Sequence, residues 1–178
     1  MVKDIIKFGL FLTIVSVIAA GSLSITYILC SPKIAVEKEK EMEASLAKVL
    51  PAAASFEKAK RLVDGKEVNY YIGSSNGGKV GVVLAVSKAG YGGLIEMVVA
   101  IDMTGKVTGV KVLRLNETPG LGLKAAEEKF LSQFRGRSAE SRLKAKYDVQ
   151  ALTGATITTQ AVADGVKEAL QTFRKLKL

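Results

Sequence analysis

The hydrophobic pattern of the chain changes character three times, and each change predicts a different kind of element. From Phe8 to Leu29 no position is charged and most are apolar. As a helix this run is about 33 Å long, enough to cross the roughly 30 Å hydrocarbon core of a bilayer. A cleavable signal peptide is the competing reading, with Ala19-Ala20-Gly21 as its small-residue cleavage site. The apolar run continues well past Ala20, longer than such a signal needs, so an uncleaved anchor is expected. Ile34 to Leu50 then alternates charges through Glu37-Lys38-Glu39-Lys40-Glu41 and meets Pro51. That pattern predicts an exposed helical stalk stopped by proline. Ala52 to Leu62 is read as a further short helix, and Asp64-Gly65-Lys66 as a turn.

From Val68 the period becomes that of strands. Val68–Ile72 and Val80–Val86, rich in β-branched and aromatic residues, flank the turn segment Ser74–Gly78 and read as a hairpin. Leu94–Ile101 and Val107–Val112 form a second hairpin across Asp102–Gly105. Lys124–Phe134 places Ala125, Phe130, Leu131 and Phe134 among charges, the pattern of a helix, and a short extended piece follows at Tyr147-Asp148-Val149. The last segment returns to helical spacing. Ala161, Val162, Gly165, Val166, Ala169, Leu170 and Phe173 fall on one stripe, with Lys167, Glu168, Arg174 and Lys175 opposite. This helix is expected to begin near Thr158 or Thr159 and to pack on the sheet. The fold class expected is α+β: one N-terminal transmembrane helix, then a mainly antiparallel sheet of four strands packed with helices. The expected segments are 1–32 for the anchor, 33–66 for the stalk and linker, and 67–178 for the folded domain.

Composition narrows the chemistry. The 178 residues carry a formal net charge of +9. The densest basic stretch, Arg135, Arg137, Arg142, Lys144 and Lys146, has only Tyr147 as an aromatic neighbour and matches no nucleic-acid module. A solvated face, or one that meets acidic surfaces of a partner, accounts for it, and no nucleic acid is expected. There is no histidine, which removes imidazole ligands and the usual neutral-pH base. The single cysteine, Cys30, allows no internal disulfide and no cysteine-rich cluster. A lipid-modified Cys30 is disfavoured by the bulky Leu29 before it. Neither catalytic residues nor a metal site are expected. Lys3 and Lys7 before the span and Lys33, Lys38 and Lys40 after it leave the orientation open.

Candidate chemistry concentrates in Leu152-Thr153-Gly154-Ala155-Thr156-Ile157-Thr158-Thr159, just before the last helix. Small residues allow close backbone approach, and unpaired amides at a helix start favour an anion such as phosphate. A threonine-rich helix cap and turn gives the same pattern without a ligand. Glu117-Thr118-Pro119-Gly120-Leu121-Gly122 and Gly90-Tyr91-Gly92-Gly93 are two further loop signals, each also consistent with an ordinary turn.

Together and in this order, the three segments resemble the FMN-binding domain family found in the G subunits of Rnf-type ferredoxin:NAD+ oxidoreductases and the C subunits of sodium-pumping NADH:quinone oxidoreductases. The resemblance runs from about Val68 to the C-terminus and includes the single anchor. It implies that the last threonine of Thr153-Gly154-Ala155-Thr156 carries FMN through a phosphoester, making Thr156 the acceptor. It also implies that Thr153, Gly154, Ala155, Thr158 and Thr159 surround the phosphate, and that Glu117, Thr118, Gly120, Leu121, Tyr91 and Gly92 lie against the ring. Glu117 either holds its loop by accepting backbone hydrogen bonds or acts on the flavin electrostatically. Departures from the family pattern stand at Leu115, where a histidine is common, and Gln150, where an aspartate is common, with Asp148 close enough to substitute for the latter.

The resemblance further implies an electron-relaying subunit, without catalytic activity of its own, in a complex that drives sodium or proton translocation. Its partners would be membrane and flavin or iron–sulfur subunits, with an FAD-using flavin transferase for maturation. It implies a single-pass protein of the inner membrane, N-terminus in the cytoplasm and flavin domain outside. The short chain fits the G subunit better than its quinone-pump counterpart. A membrane-tethered scaffold domain without redox activity is the reading from a different class.

Overall fold

The computed structural model describes residues 2–176; residues 1, 177 and 178, at the outer ends of the expected anchor and domain, lie outside the described residues. Two compact units result, Met1–Met42 and Glu43–Leu178. Helix α1, Val2–Val49, supplies nearly all of the first unit and the opening residues of the second.

In the first unit an 18-residue window of α1 has mean hydropathy 2.1 and is unburied, so by length and composition it can cross a membrane. Three of its hydroxyls are turned inward on the backbone. Thr13, Ser22 and Thr26 donate to the carbonyls four residues earlier at 2.9, 2.7 and 2.9 Å, which satisfies polar groups that lipid would leave unpaired. Pro32 sits inside the helix.

The second unit is built on a five-stranded sheet in the order β1-β2-β3-β4-β5. The strands are Ser55–Val63, Lys66–Ser75, Gly78–Ala89, Leu94–Asp102 and Val107–Arg114, each antiparallel to the next. β1 corrects the expectation of a short helix over Ala52–Leu62, and the sheet has five strands instead of four. The cause is the turn: Asp64 and Gly65 have φ of 50° and 75°, the pair of positive values that a two-residue hairpin loop of matching twist requires. Asn76 and Gly77, at 51° and 77°, do the same between β2 and β3.

Each face of the sheet has its own cover. Val82, Leu84, Ile95, Met97, Val99 and Ile101 are buried on one face, packed with α3, Thr156–Leu176. The stripe expected for α3 is the one observed, with Ala161, Val162, Gly165, Val166, Ala169 and Leu170 buried. On the other face Val49, the last residue of α1, and Leu50 just after it meet glycines of three strands, Gly73 of β2, Gly81 of β3 and Gly109 of β5. A Cβ on Gly81 would lie 3.1 Å from Leu50 Cδ1, and one on Gly109 would lie 2.7 Å from Val49 O. Leu46, Val49 and Leu50 are buried there, within the second compact unit, Glu43–Leu178.

The expected helix over Lys124–Phe134 is broken into a 3-10 turn, Gly122–Ala126, the short α2, Glu128–Leu131, and a second 3-10 turn, Ser132–Phe134. Glu127, extended at φ −72°, ψ 139°, separates the first two. Phe130 and Phe134 are buried and meet edge to face, ring centroids 5.7 Å apart.

Candidate functional site

α3 starts at Thr156, two or three residues earlier than the periodicity suggests, because Ala155 supplies the capping carbonyl. Ala155 O accepts from both the amide and the hydroxyl of Thr159 at 2.9 Å. Thr159 Oγ1 in turn accepts from the Leu152 amide at 3.1 Å. Thr159 is fully buried, so it ties the loop to the helix from beneath and does not face solvent. Gly154, at φ 77°, turns the chain into the helix; a Cβ there would also lie 3.0 Å from Leu121 Cδ2. Among the described residues, the amides of Thr156, Ile157 and Thr158 have no acceptor. They are the free donors of a helix start, where the dipole favours negative charge.

The side chains at this helix start divide in three. Thr156 is exposed and its hydroxyl has no protein partner among the described residues. Ile157 is 57% exposed. Thr158 is 1% exposed, yet its hydroxyl has no partner among the described residues and keeps accessible surface.

The two other loops are locked together by Glu117. Its Oε1 accepts from the amides of Tyr91 at 2.7 Å and Gly92 at 3.1 Å. The glycines of both loops make room for it. A Cβ on Gly90 would collide with Oε1, and one on Gly122 would lie 2.7 Å from Glu117 Cβ and 2.8 Å from Oε2. A Cβ on Gly92 would strike the Asn116 carbonyl. The loop-holding role open for Glu117 from sequence is therefore present in the structure.

An open groove of about 550 Å³ lies where these parts meet, lined by Tyr91, Glu117, Thr118, Leu121, Gly122, Gly154, Ala155, Thr156, Ile157 and Thr158. Sequence reasoning does not single out Gly122 or Ile157; Gly122 closes the Gly-Leu-Gly run, and the exposed Ile157 is hidden between threonines. Thr153 instead lines a second groove of about 610 Å³ that shares Thr156 and Gly154 and continues along Lys146, Tyr147, Asp148 and Gln150. Gly120 lies at the tip of its turn, with nothing within 4 Å of its Cβ position.

Asp148 does not face Thr156 with a free carboxylate. Its oxygens accept from the amides of Leu143 at 2.9 Å and Lys144 at 2.8 Å, with Arg137 3.6 Å away. The Lys144 amide, above all, holds this carboxyl below the ordinary aspartate range; partial burial opposes the shift, and the Leu143 amide and Arg137 reinforce it. Gln160 fastens the same loop to α3, accepting from the Ala145 amide at 2.9 Å. A depressed folded-state value stabilises the fold above the unfolded value of about 3.9, and that contribution is lost as pH falls through the folded value. Asp148→Asn is thus expected to lower the urea midpoint at pH 7 and to lose much of its effect at pH 3. Leu115 packs against the core, and the Gln150 side chain is exposed. Among the described residues no cluster of three or more His, Cys, Asp or Glu could hold a metal.

Comparison with known proteins adds three findings. The FMN-binding domain family matches residues 90–171, which include all three loop segments. The G subunit of the Na(+)-translocating ferredoxin:NAD(+) oxidoreductase complex of Acetobacterium woodii is 32% identical over 98% of this chain and 94% of its own length. The G subunit of the proton-translocating complex of Clostridium ljungdahlii is 35% identical over 90% of this chain and 86% of its own. Among solved structures, Shewanella oneidensis NqrC superposes with a TM-score of 0.53 at 21% identity, covering 72% of this chain and 73% of that one. The C subunit of the Na(+)-translocating NADH-quinone reductase of Parabacteroides distasonis gives 0.50 at 19% identity, over 61% and 62%. These two show a shared α+β fold.

Proposed function

This chain belongs to the family of G subunits of the ion-translocating ferredoxin:NAD(+) oxidoreductase complexes, and on that premise we propose that it is a membrane-anchored flavoprotein subunit that holds FMN on Thr156 and relays electrons within such a complex. The observation that carries this reading is an exposed hydroxyl, without a partner among the described residues, on the first residue of a helix, at the junction of two grooves. Esterified to phosphate, that oxygen would place an anion beside the unpaired amides of Ile157 and Thr158. Gly154 leaves the backbone close to the ester, while Tyr91, Leu121 and Ile157 offer apolar surface to a ring. A groove of about 550 Å³ falls within the usual range for small-ligand sites.

FMN supplies the electron chemistry, taking one or two electrons. The residues of this chain hold it, and no proton-transfer group of the protein is called for. A tether keeps the cofactor where a lost molecule cannot be replaced from the cytoplasm, which supports placing the flavin domain outside and the N-terminus inside. The run Phe8–Leu29 holds no charged residue and so offers no ion path; the sodium or proton path would lie in other membrane subunits. Flavin or iron–sulfur subunits would exchange electrons with it, and an FAD-using transferase would install the FMN.

Intact mass tests the reading. Full-length protein co-expressed with a flavin transferase is expected to carry an adduct equal to FMN less water. An unmodified mass from native membranes would favour a scaffold domain without redox activity.

A further inference from the structure

The two oxygens of the Glu117 carboxylate are used unequally. Oε1 takes both the Tyr91 and the Gly92 amides. Oε2 has no hydrogen-bond or ionic partner among the described residues, although Glu117 is only 9% exposed. That oxygen keeps accessible surface, and the residue forms part of the wall of the groove that contains Thr156. A nearly buried acceptor without a donor is unfavourable. No lysine or arginine lines the groove, so no cation there pairs with this carboxylate, and none of the hydroxyls that line it is bonded to Oε2. A ligand seated in the groove meets this oxygen as an open acceptor.

We propose that Glu117 Oε2 accepts a hydrogen bond from the imide N–H of the isoalloxazine ring, the proton on N3, and so selects a ring that offers a donor at that edge. This rests on the FMN reading given above. The carbonyls flanking that N–H are acceptors, which a carboxylate repels, so the N–H is the one group of that edge complementary to Oε2. The Tyr91 and Gly92 amides hold the carboxylate in place through Oε1, and a preset acceptor discriminates more sharply than a mobile one. The same negative charge disfavours added electron density on the ring and holds its potential down.

Glu117→Gln separates this contact from the loop-holding role. The Tyr91 and Gly92 amides both donate, so the glutamine oxygen has to occupy the Oε1 position and the NH₂ takes the place of Oε2. Donor then faces donor. In protein loaded with ¹⁵N-labelled flavin, the N3 proton resonance is expected downfield in the parent and upfield in Glu117→Gln. Potentiometry is expected to show the reduction equilibrium shifted at least tenfold toward the reduced form, about 30 mV for a two-electron couple. A second measurement needs no variant. Parent protein offered 3-methyl flavin, whose N3 carries no proton, is expected to load at least tenfold less than with ordinary flavin. An N3 resonance unmoved by the substitution, or equal loading of the methylated flavin, overturns this inference and leaves the FMN reading standing. A parent chain that takes up no ordinary flavin overturns both.

Discussion

Thr156→Val, co-expressed with a flavin transferase and run on a denaturing gel, is expected to lose flavin fluorescence to background. Denaturation removes any flavin held by contacts alone, so only an ester survives to be seen. The neighbouring hydroxyls are poor substitutes. Thr158 is 1% exposed and Thr159 fully buried, and Thr159 Oγ1 is engaged with Leu152 and Ala155. Thr153 is exposed, which makes Thr153→Val the necessary control, and it is expected to stay fluorescent. Thr156→Ser keeps the hydroxyl and is expected to retain modification. Because the Thr156 side chain makes no hydrogen bond among the described residues, the valine variant should change stability by no more than about 0.5 kcal/mol. Parent-level fluorescence in Thr156→Val would remove the proposed acceptor.

The second large effect is on stability. Gly109→Ala is expected to destabilise the folded unit by about 2–3 kcal/mol and to lower its Tm by roughly 5–10 °C. The added Cβ would lie 2.7 Å from Val49 O and 2.9 Å from Val49 Cα, and backbone atoms cannot rotate aside as a side chain can. The same carbonyl accepts from Thr108 Oγ1 at 3.0 Å, so displacing it also strains a neighbouring hydrogen bond. Gly78→Ala is the matched control, since its nearest contact would be Ser75 O at 3.8 Å, and about 0.5 kcal/mol or less is expected. A Gly109→Ala protein that melts with the parent in the same detergent would show that the end of α1 does not need this seat.

Sequence periodicity locates the elements that repeat and misses those decided by single contacts. The apolar run and the α3 stripe have enough turns for the pattern to dominate, and β2 to β5 show strand-type alternation between clear turns. β1 reads as helix because Ala59, Lys60 and Leu62 suit a helix by propensity, and only the backbone geometry of Asp64-Gly65 commits that stretch to pairing with β2. Periodicity places the start of α3 late because threonine is a weak helix former, while the capping carbonyl belongs to Ala155, a residue without a capping side chain. Thr158 and Thr159 look equivalent to Thr156 as hydroxyls; helical geometry buries the first two and exposes the third. In Glu117 the sequence offers two roles and cannot separate its oxygens, whose different surroundings depend on a loop 26 residues away along the chain.

Each strand of the sheet pairs with its immediate neighbour in the chain, so pairing can advance during synthesis as successive hairpins close over short distances. α3 follows all five strands in the chain, and the groove lacks its Gly154–Thr158 side until that helix docks beside the Tyr91 and Glu117 loops. Under the proposed function, a chain that stops short of α3 presents nowhere for the flavin to rest, and the yellow colour of the purified protein would certify that this helix had been made and had docked.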